Sequence, residues 1–287
     1  MAAVYKREVR SYFTNIMGYL FIAFLILVCG IYTMALNLRS GYSNFEYVLS
    51  NMTFVFVVAV PILTMRSVSE DRRQKTDQLL YSLPMSTTEI IVGKYLALLT
   101  VYGVAIVIMC FIPPILSQFG TVNFRSAYAG LLGFFCLGAC LLALGVFISS
   151  LTENQVVAAV LGFAAVLVWY LMSSLATYIS STAFASLAAL FIVYIIIGIL
   201  LNFLTKNYFF AIVVAAVCFL VTGGVYFYDS TLFESLFPTL LTYLSVFDRF
   251  YEFIYGTLDL TAIVYMLSVA CLFLFFAVQA MEKRRWS

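Results

Sequence analysis

The chain has 287 residues, of which 64% are hydrophobic, 17% aromatic and only 10% charged, whereas a soluble domain carries roughly 25% charged residues. That excludes an ordinary soluble fold. The net charge of +2 gives no reason to expect nucleic-acid binding, and the absence of histidine removes imidazole chemistry and most metal sites.

The first predicted element is an amphipathic helix over residues 1–17. At about 100° per residue, Tyr5, Val9, Tyr12, Phe13 and Ile16 share one arc, while Lys6, Arg7, Arg10, Ser11, Thr14 and Asn15 lie outside it. The pattern predicts a helix lying on the cytoplasmic membrane surface, with Lys6, Arg7 and Arg10 towards lipid phosphates.

Eight runs without Asp, Glu, Lys or Arg follow: Gly18 to Leu38, Tyr47 to Met65, Tyr95 to Leu116, Ser126 to Ser150, Val156 to Tyr178, Ala183 to Leu204, Tyr208 to Tyr228 and Leu260 to Ala280. About 20 apolar residues at about 1.5 Å each cross a hydrocarbon core of about 30 Å, so each run predicts a span. Asn51 and Pro61 interrupt the second. The first exceeds the apolar region of a secretory signal and reads as a retained helix. The fold class is an all-α integral membrane protein of about eight helices, a single domain over 1–287.

With a cytoplasmic N-terminus, eight spans return the C-terminus to the cytoplasm. Twelve basic residues then lie inside, and only Arg39, Arg125 and Arg249 outside, the bias that the positive-inside rule describes. The same rule puts the charged loop over residues 66–94 inside.

Within that loop Ser86 and Glu89 fit a capping box, and Met85 with Ile90 the accompanying staple, so a helix starts after Pro84 and runs into the third span. Ser67 to Ser82 has helix formers and no Gly or Pro. The loop reads as helix, corner, helix, with apolar Leu79, Leu80 and Leu83 beside Glu70, Asp71, Arg72, Arg73, Lys75 and Asp77. An apolar tip with a charged rim is the composition of a docking surface.

Between the last two spans, Asp229 to Asp259 is too polar to cross, yet Phe237, Leu240, Leu241, Leu244, Phe247, Phe250, Phe253 and Ile254 recur at helical intervals. Short amphipathic helices at the outer interface are expected, broken at Pro238 and Gly256.

No phosphate-binding loop is present, because Gly93 and Lys94 are followed by Tyr95. No catalytic residue and no metal site is assigned, and no substrate-binding residue is legible. The six cysteines read as buried small hydrophobes. Gly130, Gly133, Gly138 and Gly145 mark a close-packing face on the fourth span. Spans without ionisable residues weigh against an ion-coupled carrier.

Three stretches, Tyr5 to Tyr19, Ser69 to Tyr95 and the closing FIYGTLDL to MEKRRWS, resemble permease subunits of ABC-2 type transporters, in the gliding-motility and multicopper-maturation-like branch. The pattern E-x-R-x-x-x-T-x-x-x-L-x-x-L-P-M-S-x-x-E-I-x-x-x-K, ending at Glu70 and Lys94, carries it most specifically.

The resemblance implies a permease without bound cofactor in a bacterial cytoplasmic membrane. It also implies a separate ABC ATPase subunit that binds ATP and magnesium, and a second permease chain. Glu70, Arg72, Thr76, Leu80, Pro84 and Glu89 become candidate ATPase-interface residues, and 229–259 is similar to re-entrant helices before the last span. The common form has six spans, so the sixth and seventh runs are an added pair. A membrane scaffold or sensor for an ATPase-driven surface machine is the alternative function.

Overall fold

The computed structural model describes residues 1–75, 86–205 and 208–285, and every regular element among them is helical. Lipid imposes this, because a helix satisfies its backbone polar groups internally.

Helix α1 (Ala2–Thr14) ends at Asn15, whose extended backbone (φ −93°, ψ 154°) turns the chain into α2 (Ile16–Tyr32). A π-helical turn, Thr33–Arg39, prolongs α2 into a 24-residue span, Ile16–Arg39. Next come α3 (Glu46–Met52), α4 (Val55–Thr64) and α5 (Ser69–Arg73). The third span is α6 (Thr87–Met109) extended by α7 (Ile112–Leu116), and α8 (Phe124–Leu151), α9 (Gln155–Tyr178), α10 (Ala183–Thr205) and α11 (Tyr208–Tyr228) follow. A 3-10 turn, Ser230–Phe233, leads to α12 (Leu236–Leu244), α13 (Val246–Ile254) and α14 (Leu260–Arg285).

All eight apolar runs are helical. Among the described residues, 5 unbroken helices are long and apolar enough to cross a membrane, or up to 7 if each of two bent pairs is one span, against the eight expected. The sixth run is helical over Ala183–Thr205, and the seventh belongs to a pair bent by 119°.

The second run is interrupted as expected, at Thr53 close to Asn51 and not at Pro61. There α3 meets the stretch Val55–Arg73 at 62°. The Thr53 hydroxyl donates to the Ser50 carbonyl at 2.7 Å, and its N–H reaches the same oxygen at 3.3 Å. A side chain that takes a nearby carbonyl competes with the helical ladder and bends it. Pro61 sits inside α4 without ending it.

The chain forms two compact units, Met1–Tyr170 with Arg249–Ser287, and Leu171–Asp248. In the first, α8 is the hub. Phe56 and Phe134 lie 4.6 Å apart between ring centroids, and the Tyr102 hydroxyl donates to the Phe134 carbonyl at 2.6 Å. Glycines on α8 make the approach possible, as the sequence predicts: a methyl on Gly133 would lie 2.6 Å from the Phe253 ring, and one on Gly138 would overlap Tyr102. In the second unit, α10 and α11 pair through Phe191 and Phe219 at 4.5 Å, and the Ser235 N–H donates to the Ser181 carbonyl at 3.0 Å. This unit contains the sixth and seventh runs, the pair expected to be additional.

The segment 229–259 forms short helices, but Pro238 does not break them. It lies in the first turn of α12, where backbone N–H groups are unpaired in any case. The breaks fall at Ser235 (φ 57°) and Gly256 (φ 78°). The end of α13 enters the first unit, with Phe250 5.9 Å from Phe134 and the Tyr251 and Thr53 hydroxyls 3.3 Å apart. Gly133 under Phe253 is nine residues into α8, about 14 Å along it, so this end is seated well within the bundle.

Gly138→Val is expected to destabilise the protein by about 1–3 kcal/mol through overpacking. Gly30→Val, at a position with no neighbour within 4 Å, should leave the unfolding midpoint nearly unchanged. Thermal unfolding in detergent checks both.

Candidate functional site at the root of the charged loop

The charged loop is anchored at both ends. On the far side, α6 starts at Ser86, whose hydroxyl accepts the Glu89 N–H at 3.2 Å, the N-cap that the sequence predicts. The Glu89 carboxylate lies 3.7 Å from the Met1 ammonium, and Thr87 donates to Glu282 at 2.8 Å. On the near side, the Val68 and Ser69 N–H groups donate to the Ser149 hydroxyl of α8 at 3.2 and 3.1 Å.

Between these ends lies Lys94, two turns into α6 and only 3% exposed. Its ammonium is 2.6 Å from Asp71 and 3.0 Å from Glu8, and it donates to the Ser67 carbonyl at 2.6 Å. Arg7 completes the group at 2.8 Å from Glu8 and 3.8 Å from Asp71. Two cations and two carboxylates thus balance where three parts of the chain meet. A buried ammonium is tolerated only when it is paired and hydrogen-bonded.

This arrangement changes the expected role of several charges. Arg7, expected to face lipid phosphates, is half-exposed and also engages Glu8 and Asp71. Asp71, expected on the solvated rim, turns inward to Lys94, and Arg72 is 5% exposed. Lys6 and Arg10 are exposed. Glu70 pairs with Arg66 at 3.1 Å. The first helix of the loop is short, because Lys75 takes a left-handed conformation (φ 55°) just after α5. Thr76, Leu80 and Pro84 lie outside the described residues, as do Leu79, Leu83 and Met85.

Helix α1 is fixed to the same assembly. Val4, 4% exposed, packs on Gly93 of α6, and the Tyr5 hydroxyl is 3.0 Å from that of Thr100. Tyr5, Val9, Tyr12 and Phe13 of the expected apolar face are half-buried. Burial, with Glu8 and Glu70 nearby, raises the Tyr12 phenol above its ordinary range and keeps it protonated.

Glu8 is absent from the residues singled out by sequence, where Asp71 stands only as a rim charge and Lys94 only as the end of a pattern. Two signals pointed to them: Glu8 stands between Lys6, Arg7 and Arg10, and Lys94 closes the long loop pattern.

A family model described as ABC-2 family transporter protein matches residues 31–188, more than half of the chain and all of the charged loop. The chain belongs to the ABC-2 transporter family, as a membrane permease of an ABC transporter. Permeases of this family are non-catalytic membrane components that generally pair with an ABC ATPase subunit. No curated protein and no solved structure matches the chain.

Lys94→Met leaves two partly buried carboxylates without a shared counter-charge and is expected to destabilise the fold by about 2–3 kcal/mol. Adding Glu8→Gln and Asp71→Asn removes those charges together and should recover most of the loss. Unfolding midpoints of the single and triple variants check this.

Proposed function

We propose that this chain is a permease driven by a separate ABC ATPase that docks on the loop over 66–94. It works beside a second permease chain, in a bacterial cytoplasmic membrane with both termini in the cytoplasm. The supporting observation is the junction at Lys94. It ties the near side of the loop to α6 and α1, and the far side of the loop continues into α6 as one unbroken helix.

A push on the loop would then move α5, α6 and the N-terminal helix together instead of flexing a tether. Binding and hydrolysis of ATP with magnesium would take place in the partner, which seats the apolar tip around Leu80 with Thr76 and Pro84. Glu70 and Glu89, both at least partly accessible, would contribute from the rim. Arg72, buried in this chain, would support the base of the loop. The twelve-to-three distribution of basic residues supports the orientation.

Leu80→Asp is expected to abolish co-purification of the ATPase from native membranes while leaving membrane insertion unchanged. Mass spectrometry of the eluate and membrane fractionation read the two effects. Undiminished ATPase recovery with this variant would contradict the docking assignment.

A further inference from the structure

A groove of about 410 Å³ runs between α2 and α4. Leu20, Phe24 and Leu27 line one side and Val58 and Ile62 the other, all of them exposed. Tyr12 and Arg66 stand at the end where α2 begins and α4 stops. From Met17 to Leu27 the groove follows about 15 Å of helix, an apolar length that an acyl chain can follow.

The polar end has a matching chemistry. Glu70 takes the Nε and Nη2 of Arg66 at 3.1 Å, and a guanidinium has further donors on its other nitrogen. Arg66 is one-third exposed, and the guanidinium donors that Glu70 does not engage can meet an oxyanion in the planar geometry that suits phosphate. With the positive-inside orientation this end lies at the cytoplasmic headgroup level.

We propose that the groove binds one anionic phospholipid of the cytoplasmic leaflet, with an acyl chain between α2 and α4 and the phosphate on Arg66. The assignment rests on the proposed orientation but not on ATPase docking. Because Glu70 shares Arg66 with the lipid, occupancy acts directly on the base of the loop.

The test is native mass spectrometry of the full chain in detergent, titrated with dioleoylphosphatidylglycerol or dioleoylphosphatidylcholine. The expected result is saturation at one phosphatidylglycerol per chain, held about five-fold more tightly than phosphatidylcholine, as one membrane-surface arginine provides. Arg66→Gln should remove that preference. Ala23→Trp, which fills the groove from an exposed position on α2, should remove the bound lipid of either kind while leaving the unfolding midpoint unchanged. Equal retention of the two lipids by the unsubstituted chain, or undiminished phosphatidylglycerol binding by Ala23→Trp, would overturn the proposal. So would a dimer that Ala23→Trp dissociates, since the groove would then hold a second copy. Loss of ATPase co-purification alone would leave these readouts unaffected.

Discussion

The arrangement depends on one buried charge. Lys94 lies in a helix otherwise suited to lipid, and an ammonium withdrawn from water carries a penalty of several kcal/mol unless counter-charges surround it. Glu8 arrives from the N-terminal helix and Asp71 from the near side of the loop, while the Ser67 carbonyl takes a further proton of the ammonium. Each partner fixes the segment that carries it. The position of α1 across α6, the inward turn of α5 and the short base of the loop all follow from meeting this requirement.

A second constraint holds the junction against the rest of the first unit. Ser149 of α8 accepts two backbone N–H groups at the start of α5 and donates to the Met65 carbonyl at 3.3 Å. Above it, glycines of α8 admit Thr64, Tyr102 and Phe253 at backbone distance. Small residues replace the hydrophobic driving force that is missing between helices in lipid. The charged knot therefore connects to a closely packed helix, as transmission of force from a docked partner requires. Permeases of the ABC-2 family generally pair with such a partner.

The sequence made the apolar elements legible because bilayer thickness sets their length, and all eight runs are helical. Ser86 was legible as an N-cap because that bond is local, and the glycines of α8 because small residues stand out in an apolar run. Features that depend on distant partners were not legible. Charges near a loop read as solvated until Lys94 is found beneath them, so Asp71 was assigned outward. Proline reads as a break, but Pro61 and Pro238 are accommodated, while the bend falls at Thr53, whose hydroxyl turns to its own backbone. The number of spans depends on how bent pairs cross the bilayer, which composition does not encode. Among the candidate interface residues, Glu70 and Glu89 stand at the two ends of the loop, and Thr76, Leu80 and Pro84 lie outside the described residues.

The most direct test of coupling through the Lys94 junction uses the permease assembled with its ATPase, with the six native cysteines replaced and Ser117→Cys introduced just beyond the third span. The rate of labelling by a membrane-impermeant maleimide is compared between nucleotide-free and vanadate-trapped states. The comparison is then repeated with Lys94→Met, Glu8→Gln and Asp71→Asn combined. The account predicts a change on trapping in the parent chain and its loss in the neutralised one, with the ATPase still bound. An equal change in both would show that docking reaches the spans without the junction.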